Sequence, residues 1–449
     1  MITLDEGLRD EAVELLQRLV RNRCVNDGTP GSGDETRSAQ DIRDYLSVPG
    51  GPDMEVLGAL PGRGSLVMRL EGTDPDAPSL CLIGHTDVVP VNPETWARDP
   101  FGGELVDGEL WGRGAVDMLN LTASMAVAVR HLVSEGFRPR GTLVYVAVAD
   151  EEAGGRYGAE WLVDHHYDLV GADYVVTESG GLSRPGPDGP KLLISTGEKG
   201  LSWGKLTVKG TPGHGSMPFG SDNALVKAAE VIRRLAAHQP PARVSDTWRQ
   251  MVDLLDVPAE VRAGLVDPGR VDETCAALSD PRTAAFAHAC THLTISPNVV
   301  RGGEKTNIVP DAVDIDVDIR TLAGQSKADV EHCLAEALGD LWPAVTWSPY
   351  RESDASECPL ATPLGDSITR VGRAYRPGAS LVPWTTTGGT DARFFRARGS
   401  VAYGFGLFSD QLSLDDFNTR FHGNDERVDI ASVGLSTHMW ADLVRDFLG

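Results

Sequence analysis

The stretch Leu80–Pro90, with the sequence LCLIGHTDVVP, decides the fold of this chain. Its apolar first half predicts a buried strand, and His85 and Asp87 follow where that strand ends. Because side chains alternate along a strand, residues two apart can face the same site. Imidazole is a good zinc ligand, and a nearby carboxylate commonly accepts the other N–H of the ring. Taken alone, the pair leaves a satisfied core histidine as an open alternative.

Helix-like and strand-like segments alternate on both sides of this stretch. The predicted helices cover 1–22, 35–46 and 121–135, and the predicted strands cover 64–71, 79–84, 141–149 and 172–178. Such alternation predicts an α/β domain with a mixed central sheet flanked by helices. In open sheets of this kind, sites form beyond the carboxyl ends of the strands.

The pattern changes near residue 200, where a smaller α+β domain is predicted. Its strands are expected at 201–209, 292–300, 312–320 and 344–348, and its helices at 222–237 and 326–339. We therefore predict a catalytic domain formed by 1–200 and 353–449, ending in a helix at 430–447, and interrupted by a lid domain at 201–352. The lid carries a helical, acidic insertion near 241–292 for which the sequence indicates no chemistry.

Length, charge and cysteine usage restrict the class of protein. The chain has 449 residues, enough for two to three domains, and a net charge of −24 with a pI near 4.8. This charge disfavours binding to nucleic acid or to an anionic membrane surface. Six scattered cysteines without a C-x-x-C pair indicate reduced thiols. With no signal-like start and no apolar run near the ~20 residues that span a bilayer, a cytoplasmic location is expected.

Four further motifs bring acidic residues or a histidine to predicted strand or helix ends. They are Gly112–Asp117, Asp150–Glu152, Thr177–Gly181 and Phe421–Glu426. Each has an alternative explanation, such as helix capping near Asp117 or a solvated acidic loop at 150–152. Together they deliver two histidines and at least three carboxylates to one sheet edge.

That set of side chains suits a hydrolase with two metal ions. One carboxylate can bridge both ions, each ion takes one histidine and one terminal carboxylate, and one acid remains as a general base. Paired metals activate a water molecule and polarise a carbonyl oxygen. The residues concerned are His85, Asp117, Glu151, Glu152, Glu178 and His422.

The ordered motifs resemble those of the M20 family of metallopeptidases. They read GHTDVVP, GRGAVD, DEE, TESGG, GHGSMP and HGNDE, and the resemblance covers nearly the whole chain. The family includes deacetylases, desuccinylases, aminoacylases, carboxypeptidases and dipeptidases. The resemblance implies a catalytic α/β domain interrupted by a smaller, dimerisation-type lid.

The resemblance also implies roles for individual residues. Matched by motif, His85 and Glu178 would hold the first metal ion, Glu152 and His422 the second, and Asp117 would bridge both. Glu151 would be the general base, and Asp87 would orient His85. Two divalent ions are expected, with zinc preferred and cobalt or manganese as alternatives.

Residues of the lid and of a late loop complete the implied site. His214 resembles the family histidine that stabilises the oxyanion and that can arrive from the lid of a neighbouring subunit. Asn307 and Arg320 match lid positions that contact substrate, and arginine suits bidentate capture of a carboxylate. Gly389 and Thr390 lie in a loop resembling the substrate-proximal glycine loop. For these last four residues a purely structural role is an open alternative.

Two departures from the family pattern bear on the substrate. Asp117 is followed by Met-Leu-Asn-Leu, where many relatives have Met-Lys-Gly-Gly, and Glu178 is followed by Ser-Gly-Gly. We expect hydrolysis of an amide bond near a free carboxylate in a small peptide or N-acyl amino acid. A dipeptidase or carboxypeptidase is preferred, with an N-acyl-amino-acid deacylase as the alternative and a non-catalytic metal-binding scaffold as a remote one. A homodimer through the lid is the expected assembly.

Overall fold

The chain forms two compact units. The computed structural model describes residues 4–186, 188–255 and 257–449. Unit 1 comprises Met1–Thr196, Cys358–Trp384 and Thr390–Gly449, and unit 2 comprises Gly197–Glu357 and Thr385–Gly389. The boundaries expected from sequence lay at 200/201 and 352/353, four and five residues from the divisions between the main segments.

The elements follow one another in three groups along the chain. The first group is α1 (Glu6–Asn22), α2 (Thr36–Leu46), β1 (Met54–Gly58), β2 (Gly64–Leu70), β3 (Leu80–His85), β4 (Glu104–Val106), β5 (Glu109–Trp111), α3 (Leu119–Ser134), β6 (Leu143–Val148), α4 (Ala159–His165), α5 (Tyr167–Val170), β7 (Tyr174–Thr177), β8 (Ser183–Arg184) and β9 (Lys191–Glu198). The second is β10 (Gly200–Lys209), β11 (Gly213–His214), α6 (Ala224–Ala237), α7 (Asp246–Val252), α8 (Ala259–Leu265), α9 (Val271–Ala277), α10 (Pro281–Thr291), β12 (Thr294–Gly302), β13 (Ile308–Val309), β14 (Ala312–Thr321), α11 (Lys327–Leu338), β15 (Val345–Ser353) and β16 (Ser356–Glu357). The third is α12 (Pro363–Tyr375), β17 (Ser380–Thr386), α13 (Ala392–Arg396), β18 (Val401–Gly404), α14 (Leu414–Arg420), β19 (Arg427–Asp429) and α15 (Ile430–Leu448).

Unit 1 is built on a mixed sheet with the strand order β1-β2-β6-β3-β7-β18-β9. The four central strands β6, β3, β7 and β18 run parallel to one another, whereas β1, β2 and β9 pair antiparallel with their neighbours. The central strands β3 and β6 are buried along their whole length, which explains their continuous apolar sequence. Helices α1, α3 and α15 pack against one another. The predicted mixed sheet flanked by helices is confirmed.

Unit 2 carries an antiparallel sheet with the order β12-β14-β10-β15. Alternate residues of β10 and β14 are buried, as expected for a sheet that is covered on one face. The covering helices are α6 and α11, whose apolar sides join the core formed by residues such as Leu206 and Ile315. The insertion predicted near 241–292 consists of the short helices α7 to α10.

The sequence prediction missed several strands of unit 1, among them the edge strand β1. Strand β1 is a short edge strand whose residues are at most half-buried, so its sequence carries little strand signal. It is extended because it pairs with β2, and this is a tertiary effect. Strand β9 was also missed.

Within the described ranges, no helix has both the length and the apolar character required to cross a bilayer.

We predict that Ile83 is a major source of stability in unit 1. Its side chain is fully buried in β3 and packs in a core cluster with Val146 and Val175. Truncation to alanine leaves a cavity, so Ile83→Ala is expected to lower the free energy of unfolding by about 2–5 kcal/mol in urea denaturation. Leu105→Ala is the control, because Leu105 is 50% exposed and its truncation should cost less than about 0.5 kcal/mol. Equal losses in the two variants would contradict the assignment.

Candidate functional site

The site lies at the carboxyl ends of the parallel strands of unit 1. His85 is the last residue of β3, Asp150–Glu152 follow β6, and Glu178 follows β7 directly. Because these strands are parallel neighbours, their ends meet at one edge of the sheet. Two other segments of unit 1 add to this edge, the turn before α3 with Asp117 and the turn after α14 with His422.

Asp117 lies between two imidazoles. One carboxylate oxygen, Oδ1, is 3.2 Å from Nε2 of His85, and the other, Oδ2, is 2.8 Å from Nε2 of His422. Helix α3 begins at Leu119, and its N-cap residue Met118 makes no side-chain cap, so Asp117 is not occupied in helix capping. The carboxylate is therefore free to serve both histidines at once.

Each histidine has a second acidic neighbour of its own. Nε2 of His85 is 3.8 Å from Oε1 of Glu178, and Nε2 of His422 is 3.2 Å from Oε2 of Glu152. The side chains therefore form two groups, each with one histidine and one further carboxylate, and Asp117 belongs to both. Ligand atoms of His85, Asp117 and Glu152, and likewise those of His85, Glu151 and Glu178, all lie within 4.8 Å of one another. These groups could hold metal ions.

Burial and mutual repulsion perturb the acids of this cluster. Burial, followed by repulsion from Asp117, raises the pKa of Glu152 to about 8 and that of Glu178 well above its usual range. Burial raises the pKa of Glu151 to about 7. Among the described residues, the buried Oε1 atom of Glu152 has no hydrogen-bond partner. Several crowded carboxylates with an unsatisfied buried oxygen fit divalent cations, which would neutralise them.

The pKa values of the two histidines are also raised, but by the neighbouring acids and not by burial. Burial by itself would lower the pKa of His422, but its hydrogen bonds with Asp117 and Glu152 outweigh burial and raise this pKa to about 10. The pKa of His85 is likewise raised, by Asp117 and by the charge of Glu178, against the effect of burial. Without bound metal, protons on the two imidazoles supply positive charge to the cluster.

The Asp87 side chain acts differently from the prediction. The ring Nδ1 of His85 lies 3.0 Å from the backbone oxygen of Asp87, whereas the nearest carboxylate oxygen is 3.7 Å away. The carboxylate instead accepts the backbone N–H groups of Glu151 and Glu152, at 3.2 and 3.0 Å. Asp87 therefore orients His85 through its main chain and holds the acidic turn through its side chain.

A buried polar network supports Asp87 from behind. Asn26 donates from Nδ2 to Asp87 at 2.8 Å and to Asp150 at 3.1 Å. Arg63 donates to Oδ1 of Asn26 at 3.0 Å and forms an ion pair with Glu35 at 2.5 Å. All five side chains are almost fully buried. The alternative of a solvated loop at 150–152 is wrong, because Asp150 is anchored inside this network.

Glu426 is a supporting residue to which the sequence assigned no role. Its Oε1 accepts the backbone N–H groups of Val116 and Asp117 at 2.7 and 3.1 Å, and its Oε2 accepts a hydrogen bond from Arg113 at 2.6 Å. Arg113 also donates to the backbone oxygen of His422 at 3.3 Å. This pair ties the turn that carries Asp117 to the turn that carries His422. The acid belongs to the HGNDE motif, so its position was visible although its partners were not.

Asp391 is a second residue that the sequence prediction missed. Its carboxyl group is buried, and burial together with repulsion from Glu151 raises its pKa well above the usual range. Arg393 joins the neighbouring loops by donating to the backbone oxygens of Gly154 and Thr390, both at 2.8 Å. Thr390, predicted to contact substrate, is buried in unit 1. Gly389 belongs to unit 2.

Glycines at two strand ends allow the backbone to approach closely. A side chain on Gly84 would lie 2.4 Å from Oγ1 of Thr122, the hydroxyl that donates to the backbone oxygen of His85. A side chain on Gly404, at the end of β18, would lie 1.9 Å from the backbone oxygen of Glu178. Both positions therefore require glycine so that His85 and Glu178 lie where they do.

In unit 2, His214 and Asn307 are neighbours. His214 in β11 pairs with Ile308 in β13, and Gly215 donates its N–H to the backbone oxygen of Asn307 at 2.8 Å. The His214 side chain is exposed, and its Nδ1 accepts the N–H of Ser216 at 3.2 Å. In the neutral ring the proton then resides on Nε2, which is free to donate.

Arg320 already has a carboxylate partner in unit 2. Its guanidinium binds Asp318, two residues away on β14, through Nε at 2.8 Å and Nη2 at 3.3 Å. It also lies 5.6 Å from the ring of Trp203. An arginine engaged in this way has less charge available for a substrate carboxylate than the sequence suggested.

Comparison with known proteins agrees with this geometry. The model of peptidase family M20/M25/M40 matches residues 81–446. The chain is 28% identical over 410 residues to the N-fatty-acyl-amino acid synthase/hydrolase of Xenopus tropicalis, covering 87% of this chain and 76% of that protein. It is 27% identical over 390 residues to aminoacylase-1 of Sus scrofa, covering 86% and 84% of the two proteins.

Solved structures of the family share the fold. An M20 family metallo-carboxypeptidase from Sulfolobus solfataricus superposes with a TM-score of 0.75 at 16% identity, covering 98% of this chain and 99% of that one. A dinuclear metal-binding M20 peptidase from Bacillus subtilis superposes with a TM-score of 0.62 at 13% identity, covering 99% of each chain. Because the family model spans most of the sequence, the chain belongs to peptidase family M20/M25/M40 and is an M20-type hydrolase.

Proposed function

We propose that the chain hydrolyses an amide bond next to a free carboxylate, with two divalent metal ions held in unit 1. The observation that carries this proposal is Asp117, whose two oxygens face two histidines that each have another acidic neighbour. His85 and Glu178 would hold one ion, His422 and Glu152 the other, and Asp117 both. Zinc is the proposed metal because the donors are imidazoles and carboxylates, and cobalt or manganese are the alternatives.

Glu151 is the proposed general base. Among the described residues, no hydrogen bond or ion pair within 4 Å engages its carboxylate, whereas its backbone N–H is held by Asp87. The two ions, when bound, would supply Lewis acidity that acidifies a water molecule and polarises the carbonyl of the substrate. Glu151 would accept a proton from the attacking water and return it to the leaving amine nitrogen. Its raised pKa, near 7, suits both transfers.

His214 is the proposed donor to the oxyanion. Because its Nδ1 accepts the N–H of Ser216, the neutral ring presents Nε2–H to a developing negative charge. Asn307 lies beside His214 and is a proposed substrate contact. For Arg320, Gly389 and Thr390 we retain the proposal that they contact the substrate. The protein is proposed to be cytoplasmic, which agrees with six free cysteines.

The substrate class is proposed on two grounds. Peptidase activity on small peptides was the first expectation from the motifs. The curated relatives described above, at 27–28% identity, are named for N-acyl amino acids and therefore favour the deacylase alternative. Both classes share an amide nitrogen that belongs to an amino acid with a free carboxylate. The proposal is hydrolysis of that bond, with the acyl side left to experiment.

A substrate panel tests this proposal. Zinc-loaded enzyme should release free amino acid from members of a panel of dipeptides and of N-acetyl, N-succinyl and N-fatty-acyl amino acids. Loss of the base should remove turnover, so Glu151→Gln is expected to lower kcat by about 10²–10⁴-fold while the metal content stays unchanged.

The control for this test is Glu94→Gln, which changes an exposed acid in unit 1. It should leave both turnover and metal content at the wild-type level. Unchanged turnover in Glu151→Gln would refute the assigned mechanism. A zinc-loaded wild type that cleaves no member of the panel would refute the proposed function.

Metal binding should release protons. The pKa of His422 is raised to about 10 and that of His85 is raised well above its usual range, so both rings are protonated at about pH 7 in the metal-free cluster. Zinc binds neutral imidazole and ionised carboxylate, and the pKa values of the proposed ligands Glu152 and Glu178 are also raised, so loading should displace at least two protons and metal affinity should rise with pH. Calorimetric titration in buffers of different ionisation enthalpy measures the number. Proton release near zero would mean that these imidazoles are neutral before metal binds.

We propose that the chain dimerises through unit 2. Several large apolar side chains are exposed there, among them Met217, Phe219, Val226 and Val300, with exposed fractions of 73, 103, 67 and 49%. Strand β12 is also an edge of its sheet. Exposed apolar side chains next to an unpaired strand edge are typical of protein interfaces. His214 belongs to the same unit and would then serve the active site of the neighbouring subunit.

Subunit mixing tests whether His214 acts in the neighbouring subunit. Glu151→Gln and His214→Gln should each be nearly inactive alone. If equal amounts are unfolded and refolded together, half of the dimers are mixed, and each mixed dimer has one complete site. About one quarter of wild-type activity should therefore return. No recovery, although pull-down through a tag on one of the two variants shows that mixed dimers form, would place His214 in the active site of its own subunit.

A further inference from the structure

Unit 2 contains a second group of metal-ligating side chains, for which the hydrolase mechanism has no use. Asp272 lies on α9, His288 lies in the last turn of α10, and His292 is the C-cap residue that follows α10. The two histidines are four residues apart, a spacing that brings side chains to one face of a helix. One ligand atom from each of the three residues lies within 4.8 Å of the other two.

His292 is the buried centre of this group. Its side chain is fully buried, and its Nδ1 lies 3.0 Å from the backbone oxygen of His288 and 2.9 Å from Oγ1 of Thr291. The contact with a carbonyl oxygen requires that Nδ1 carries the proton. In the neutral ring, Nε2 therefore presents a lone pair and is the atom available to a metal ion.

That lone pair faces a carboxylate. Nε2 of His292 lies 3.1 Å from Oδ1 of Asp272, yet among the described residues both atoms are buried without a hydrogen-bond partner. Two acceptor atoms that face each other away from water are unfavourable, because neither satisfies the other. A divalent cation between them would remove this cost.

His288 supplies the third ligand. Its ring stacks on that of His292, with centroids 4.1 Å apart and planes inclined by 8°. Parallel rings direct their lone pairs along parallel lines, so the partly exposed His288 ring has to tilt before it binds the same ion. Burial lowers the pKa of both imidazoles, which favours the neutral form that metals bind.

Lys199, whose positive charge acts on both imidazoles, is engaged by other groups of unit 2. Lys199 donates from Nζ to the backbone oxygens of Ala289 and His292, both at 2.7 Å, and to Oγ1 of Thr294 at 3.3 Å. Its ammonium group therefore satisfies backbone oxygens at the end of α10 and forms no ion pair with Asp272.

We propose that Asp272, His288 and His292 form a further metal site, separate from the hydrolytic centre, that binds one ion of the zinc class. Two imidazoles and a carboxylate are a zinc donor set, with a water molecule as the fourth ligand. The ion would connect α9 to α10 and so stabilise the helical insertion, since a ligand that binds only the folded state raises its stability.

Metal counting tests the site. The purified chain is stripped with a chelator, reloaded with zinc, passed over a desalting column and analysed by plasma mass spectrometry. Wild type should carry one ion per chain more than Asp272→Asn and His288→Gln, whether or not the hydrolytic centre is filled or active. Both substitutions change partly exposed side chains, so we expect the fold to be retained.

The control is His332→Gln on α11. His332 and Glu336 form an exposed pair four residues apart, at 3.3 Å, and belong to none of the metal-ligating groups of the described residues. This variant should keep the wild-type ion count, and zinc should raise its melting temperature as it does that of wild type. Equal counts in wild type and both site variants would overturn the proposal.

Discussion

The charge balance around the Asp117 carboxylate is the constraint on which the rest of unit 1 depends. Asp117 lies 3.2 Å from His85 and 2.8 Å from His422, in a cluster that also holds Glu152 and Glu178. Several carboxylates at a buried sheet edge repel one another strongly, because little water screens them. Protons on the carboxylates or on the imidazoles relieve this repulsion, and metal ions would replace those protons with positive charge. The site is therefore built to bind cations.

Hydrogen bonds to the main chain hold these charges in place. The carboxylate of Glu426 accepts the backbone N–H groups of Val116 and Asp117. The carboxylate of Asp87 accepts the backbone N–H groups of Glu151 and Glu152. In both cases a buried acid fixes the turn that carries the functional acids. A carboxylate that accepts two backbone N–H groups defines a turn more rigidly than packing alone, because each bond is directional. The proposed catalytic groups can then point into the site without forming these anchors themselves.

Much of the fold could be predicted from the sequence, because the strongest elements have the clearest patterns. The fully buried β3 and β6, the amphipathic α1 and the alternating β10 all lie within a few residues of their predicted bounds. Edge strand β1 escaped prediction, because its extended shape depends on its partner β2 and not on its own composition. Of the candidate site, the acids and histidines at strand ends were identifiable because their motifs are local. Asp391 was not identifiable, since it lies near Glu151 only because the fold brings the segment before α13 to the segment after β6.

The sequence by itself determined which side chains could form the hydrolytic cluster and in which order they follow the strands, since each lies in a short motif at the end of an element. Only the tertiary structure decided what they contact. It placed the main-chain oxygen of Asp87 beside the ring of His85, and it let the side chain of Asp87 accept the backbone N–H groups of the 151–152 turn. It also brought Asp272 beside His292. The contacts of Asp87 with the 151–152 turn and of Asp272 with His292 join residues that are far apart in the chain, and all of these distances depend on packing that no local pattern encodes.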